Sequence, residues 1–200
     1  VSWLNYAFRF MQFPIGVFGV AIATVTLPSI SSSAAPRNIA EFRERLARSL
    51  TLVFLFCVPS AVGLIVLGRP IVGLIFEHGK FTGVDTVQTA KGLAAYALGL
   101  AGYAAVKVLS PAFYALNDAR TPMVISLGSI AVNYAMNSML VGPLGHVGLA
   151  LSTSSVALVN FLLLLFFMRR KLTRIEGWRV SAVLGKVSLI SLAMAGVVWL

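Results

Sequence analysis

Asn5, Arg9 and Gln12 stand four and three residues apart in the run "NYAFRFMQ". On a helix that spacing stacks an amide, a guanidinium and a second amide on one face. The other faces are Trp, Leu, Phe and Met. No acidic residue lies nearby in the sequence. A mid-helix arginine costs roughly 2.5–3.5 kcal/mol to insert into a bilayer. Two readings follow from position. The side chain snorkels to the outer interface, or it lines a water-filled cavity. The polar column favours the cavity. A guanidinium there without a carboxylate is free to bind an anion, and its fork matches phosphate through two bonds. A phosphorylated ligand is the chemistry this column suits.

A second cation, Lys107, lies deep in "YAAVKVLSPAFYAL". It lines the same cavity or snorkels toward the basic side. Asn133 and Asn137, at i and i+4, share another helical face, with Thr153 in the following segment. Two amides and a hydroxyl either join helices by hydrogen bonds or offer oxygens to a small cation. Joining is the better-supported chemistry. Little here suits catalysis. His78 and His146 fall in different links, and the carboxylates Glu41, Glu44, Glu77, Asp85, Asp118 and Glu176 lie in links or at segment ends. No nucleotide-binding, zinc or nucleophile motif is present. The expectation is a protein that is not an enzyme and carries no cofactor or metal.

The elements that must position these groups are membrane helices. Of 200 residues, 58% are hydrophobic and 11% charged, with a mean hydropathy of +0.91. A transmembrane helix needs about 20 apolar residues, and the chain offers several such runs. Uninterrupted stretches such as "VNFLLLLFFM" are unlike the alternating strands of a β-barrel. An all-α, polytopic bundle is expected, with one membrane domain over residues 1–200. Its segments fall near 3–30, 50–76, 86–116, 122–141, 147–168 and 180–200. Residues 37–48 carry Ile39, Phe42 and Leu46 on one face, with Glu41–Arg45 and Glu44–Arg48 at i,i+4. They form an interfacial amphipathic helix or extend the second segment.

The net charge of +10 sits in links, as topology signals do. Arg37, Arg43, Arg45 and Arg48 follow the first segment, Arg120 the third, and Arg169, Arg170, Lys171, Arg174 and Arg179 the fifth. These links face the cytoplasm, and "FEHGKFTGVD" and "GPLGHVG" face outward. No aromatic-interleaved basic patch supports nucleic-acid binding. Cys57 is the one cysteine, so no disulfide frame exists. Without an initiator Met or signal pattern, and stopping at "AGVVWL", the chain reads as part of a longer protein. Pro14, Pro28, Pro59, Pro70 and Pro111 bend spans or mark their ends. Ala97, Ala101 and Ala105 form a small-residue stripe.

The run "KVLSPAFYALNDARTP", together with "SWLNYAFRFMQFPIGVFGVAIATVTLPSIS", "PSAVGLIVLGRPIVGLIFEHGKF" and "GHVGLALSTS", resembles the MurJ/MviN family of lipid II flippases. The resemblance covers nearly the whole chain. It corresponds to the eighth to thirteenth of fourteen helices, mostly the C-terminal lobe of a two-lobe exporter-type flippase. The first segment should then run inward, as the charge pattern also says.

That resemblance implies a cationic central cavity and lipid II as the substrate. The protein would be a multi-pass, monomeric transporter of the bacterial inner membrane, serving cell-wall synthesis by alternating access. Arg9 aligns with a cavity arginine; Asn5, Gln12 and Lys107 are its candidate companions. It also implies an ion site at Asn133, Asn137, Thr153 and the Leu149 carbonyl, and thus monovalent-cation coupling, with a proton or the membrane potential as alternatives. The sequence departs from relatives in three places. Phe8 replaces an acidic residue, Gln12 replaces Glu, and Asn137 replaces an Asp. The first two leave Arg9 less neutralised; the third weakens a cation site. A related polysaccharide-lipid flippase, a drug/cation antiporter and a non-transporting scaffold are the alternatives. An antiporter should carry intramembrane acids.

Overall fold

The computed structural model describes residues 2–34, 38–172 and 177–199, and among them the chain is helical throughout except for short turns. α1 (Ser2–Pro14) passes through a π-helical stretch (Ile15–Val20) into α2 (Ala21–Ala34). Pro14 has no N–H to donate, and loosening of the ladder beside a proline is where wide turns form. At Gly19 an added Cβ would stand 3.2 Å from the Ala104 Cβ, so the wide turn lies tight against a neighbouring helix.

α3 (Ile39–Phe76) is one helix of 38 residues. It includes the stretch read from sequence as either a separate interfacial helix or an extension. The Asn38 side chain caps it by accepting from the Glu41 N–H. Phe42, Leu46, Leu50, Val53, Phe54 and Cys57 are buried at helical spacing, so its first half lies against the bundle. In its second half only Gly68 and Val72 are buried, and a groove opens between that half and α1.

The next segment is not one straight helix. α4 (Gly83–Ala97) and α5 (Leu100–Ala115) meet at 42°. At the bend the Gly99 N–H reaches back to the Tyr96 carbonyl (3.0 Å), and carbonyls not fully served by the ladder need side-chain donors, because hydrocarbon cannot hydrate them. The Ser154 hydroxyl reaches the carbonyls of Ala95 (2.8 Å) and Tyr96 (3.2 Å). At Gly99 a Cβ would meet the Ser154 Cα at 2.7 Å, and at Gly102 the Ala157 carbonyl at 3.1 Å. Lipid is as apolar as leucine, so helices in a bilayer gain from such close backbone approach more than from burial. Ala97 and Ala105 are buried as well, but the closest approach runs through the glycines.

α6 (Arg120–Lys171) is 52 residues long and breaks at Gly145, whose φ of 55° and ψ of −131° are open to glycine. There the chain folds back. Ser152 donates to the Asn137 amide oxygen, a pair that a continuous helix would separate by about 22 Å. Gly148 lies so close to the Leu140 carbonyl that any Cβ would collide with it. Residues 120–144 and 146–171 are thus two arms of a hairpin. α7 (Gly177–Trp199) packs along α3, and α5 sits centrally against α2, α3 and α6. Leu100, Leu109, Phe113, Phe54, Leu164 and Met168 fill the core. Ser2–Thr26, α3 and α6 are each long and apolar enough to cross a bilayer, and α4 with α5 makes a further bent span.

The two ends of the bundle differ chemically. At one end Trp3 donates to Asp85 (2.7 Å) and its ring meets His146 at 5.3 Å, while His146 Nε2 bonds the Gln88 carbonyl (3.2 Å). At the other, Arg43 donates to the Leu172 carbonyl, closing the end of α6. Lys171 donates to Asp118 (2.7 Å), which also accepts from the Thr121 N–H and hydroxyl.

Asp118 lies in the turn between α5 and α6, outside the apolar spans. The Lys171 hydrogen bond first, then the Thr121 N–H, lower its carboxyl from 3.8 to about 2. A depressed carboxyl stabilises above its unfolded pKa and loses that contribution as pH falls through the folded value. Thermal melts of the full-length protein in detergent should therefore lose stability as pH falls from 3.8 through about 2. The Asp118→Asn variant, lacking the group, should lose less over that window; parallel curves would count against the latch.

Candidate functional site: a cation beside an apolar groove

α1 buries Ala7, Met11 and Pro14, which are four and three residues apart. The opposite face carries Asn5, Phe8, Arg9 and Gln12, all exposed. Aromatic contacts hold this helix in place: Tyr6 against Phe76 and Phe81, Phe10 against Phe76, and Phe8 against Tyr96 at 5.7 Å. Between them they clamp α1 to the end of α3 and to α4.

Arg9 borders a groove of ≈ 680 Å³ between α1 and the second half of α3. Phe10, Phe13 and Pro14 form one wall; Leu64, Leu67 and Ile71 form the other. Gly63 opens onto empty space. The Ser60 hydroxyl on the wall is already donated to the Phe56 carbonyl (2.8 Å). Among the described residues Arg9 makes no hydrogen bond or ion pair. The guanidinium is therefore the polar group this groove has to offer. It stays charged at any physiological pH and presents five donors. An amphiphile with an anionic head and an apolar tail fits that arrangement.

Asn5 and Gln12 share the exposed face with Arg9 but do not line the groove. Lys107 is exposed on α5, a helix packed against α2 and the π-helical stretch, and it too lies off the groove wall. The structure thus brings Asn5, Arg9 and Gln12 together and leaves Lys107 on a separate helix.

The polar group on α6 is drawn together by the hairpin. Asn137 donates to the Asn133 amide oxygen (2.9 Å), and Asn137 in turn accepts from Ser152. Thr153 donates to the Leu149 carbonyl (2.7 Å), as does Ser152 (3.1 Å). Each Asn side-chain oxygen accepts one protein donor and the Leu149 carbonyl two hydroxyls, so a cation here would share oxygens, each with two lone pairs, that already join the helices. Ser152, which sequence reasoning passed over, is the residue that ties the two arms. Its signal was the unbroken hydroxyl run 152–155. Consecutive helical residues point about 100° apart, so such a run serves several neighbours at once. No group of three or more His, Cys, Asp or Glu that could hold a metal occurs among the described residues.

Comparison with known proteins gives a consistent result. The family model for the lipid II flippase MurJ matches residues 1–200. The lipid II flippase MurJ of Burkholderia cenocepacia is 38% identical over 171 residues, 86% of this chain and 33% of that protein. The probable lipid II flippase MurJ of Vibrio cholerae is 34% identical over 202 residues, 99% of this chain and 37% of that protein. A solved structure of lipid II flippase MurJ in an inward closed conformation superposes with a TM-score of 0.85. It is 33% identical, covering 100% of this chain and 40% of that one. The chain spans about a third of the length of the curated relatives it matches.

The amide–hydroxyl tie across the hairpin predicts a specific cost. Hydrogen bonds between membrane helices contribute about 0.6 kcal/mol on average and at most about 1.7. Asn137→Ala in the full-length protein should lower stability by an amount in that range, read from unfolding in mixed micelles. Sodium should not change the wild-type melting temperature; a sodium-dependent rise abolished by Asn137→Ala would instead mark a cation site.

Proposed function

We propose that this chain, which belongs to the lipid II flippase MurJ family, supplies one lobe of a transporter that carries lipid II across the bacterial inner membrane. Lipid II joins a pyrophosphate and a sugar–peptide head to a polyprenyl tail. Its head must cross hydrocarbon, where an unaccompanied diphosphate is costly to desolvate. A fixed guanidinium offsets that cost. The observation that carries this reading is Arg9: a guanidinium with no ion pair among the described residues, on the exposed face of α1, beside a groove with apolar walls.

In this reading the pyrophosphate meets Arg9 from the cytoplasmic side, and Asn5 and Gln12 hydrogen-bond the sugars. The lobe then rocks against its counterpart, and the head opens to the periplasm. Lys107, on a separate helix, guides the head rather than holding it. The transporter works as a monomer, without a cofactor. A monovalent cation or proton gradient supplies the drive. A drug/cation antiporter fits less well. Such a site needs a carboxylate within the span, and among the described residues the carboxylates are confined to links and helix ends.

Two variants of the full-length protein test the reading. A charge-assisted hydrogen bond contributes about 1.5–3 kcal/mol, which is roughly ten- to a hundredfold in transition-state stabilisation. Arg9→Ala should therefore fail to rescue a flippase-depleted strain at normal protein levels, and Arg9→Lys should rescue partially. Normal growth of Arg9→Ala would leave only a scaffold. Lys107→Ala should slow growth less; an effect as large as that of Arg9→Ala would reverse the ranking of the two cations.

A further inference from the structure

A second cavity, of ≈ 460 Å³, lies between α2 and the start of α3, and its lining differs from that of the first. Glu41, Glu44, Arg45, Arg48 and Leu52 line it from α3, and Val25 lines it from α2. Glu41 and Arg45 are tied to each other, and Glu41 also accepts from the Asn38 amide (3.0 Å). Glu44 and Arg48 are exposed, and among the described residues neither makes an ion pair or a hydrogen bond. They lie one helical turn apart in the order that favours pairing, yet the cavity keeps a free anion beside a free cation.

Depth says what could enter. The stretch 49–68 of α3, between Arg48 and Arg69, carries no charged residue and rises about 30 Å, the thickness of the hydrocarbon core. Arg48 and Glu44 therefore stand at the polar boundary on the basic side of the bundle. Val25 and Leu52, 79% and 38% exposed, face the acyl region next to it. A ligand here sees a carboxylate, a guanidinium and an apolar surface, in that order toward the membrane centre. A simple anion would satisfy Arg48 but meet Glu44. A simple cation would meet the reverse conflict.

We propose that this cavity binds the headgroup of a zwitterionic phospholipid of the ethanolamine type. The phosphate is held by Arg48, the primary ammonium by Glu44, and the first acyl carbons run along Val25 and Leu52. The two charges of the headgroup are two carbons apart, short enough to lie between side chains one turn apart. A primary ammonium donates hydrogen bonds to a carboxylate; the quaternary ammonium of a choline lipid has none to give. The site is independent of what the transporter carries.

The test is competition between ethanolamine and choline phospholipids with identical acyl chains, bound to the full-length protein and read by native mass spectrometry. Both partners are solvent-exposed, so the preference should be about threefold, the scale of an exposed ion pair. Glu44→Gln should abolish it, Arg48→Gln should lower the retention of both lipids alike, and Arg9→Ala should leave both retention and preference intact. Melting curves in choline-lipid nanodiscs, where the site has no preferred ligand, should match wild type for both variants. Equal retention of the two lipids overturns the proposal. So does a preference that survives Glu44→Gln, or retention of both lipids that Arg48→Gln leaves unchanged. An anionic phosphatidylglycerol retained above both zwitterions would also overturn it, in favour of a plain anion site.

Discussion

Inside a bilayer there is no water to accept a stray hydrogen bond, and the bend between α4 and α5 exists under that constraint. Its 42° turn is closed by the Gly99 N–H on the Tyr96 carbonyl and by the Ser154 hydroxyl, which reaches the Ala95 and Tyr96 carbonyls. The contact requires the second arm of α6 to lie against Gly99 with no room for a side chain. That arm is placed by the fold-back at Gly145. Three successive residues then serve three neighbours. Ser152 bonds Asn137 of the first arm, the Thr153 carbonyl accepts the Tyr103 hydroxyl (3.3 Å), and Ser154 holds the bend. The arm of residues 146–171 is the spine that lets its neighbours be irregular.

Charge obeys the same rule in a different form. Carboxylates sit where water or a partner is at hand: Asp85 under Trp3 and Thr82, Glu77 under the Thr86 hydroxyl, Asp118 under Lys171. Arg43 and Lys171 close the ends of helices. Arg9 follows no such pattern. It stands away from either end cluster, on a face where Phe8 and Phe13 are exposed at 37% and 71%. A bundle that needed only to be stable would have an alanine or leucine in its place.

The sequence made some of this legible and hid the rest for physical reasons. Apolar run length located the membrane spans, because hydrocarbon thickness sets it. The column of Asn5, Arg9 and Gln12 was readable because helical spacing alone puts them on one face. The groove was not readable. It depends on α1 and the second half of α3 standing apart along their length while Tyr6 and Phe10 meet Phe76 at its end, and spacing is a relation between helices that no single helix records. The bend at Gly99 was hidden because "ALGLAGY" has no proline; its cause is a serine 55 residues later. Lys107 looked like a companion to Arg9 because depth along a helix can be read from sequence, whereas the azimuth of one helix against another cannot. Asn133 and Asn137 were found as a pair, and their third partner, Ser152, became visible only once Gly145 turned the chain back.

The bend and the cation are also mechanically joined. Phe8, the residue before Arg9, packs its ring edge-on against Tyr96 at 5.7 Å. The Tyr96 carbonyl is one of the two that Ser154 holds. The turn of α1 that carries the guanidinium thus rests on the residue where α4 ends and the bend begins. Packed interiors do not deform continuously; they shift between discrete arrangements. A change in the α4–α5 angle would move Tyr96, and Tyr96 cannot move without displacing Phe8 or opening a void beneath it. On the far side of α1 the π-helical stretch, with Gly19 against Ala104, ties the same helix to α5. The helix bearing Arg9 and the π-helical stretch that continues it therefore contact both halves of the broken span between them, α1 meeting α4 at Tyr96 and the π-helical stretch meeting α5 at Ala104.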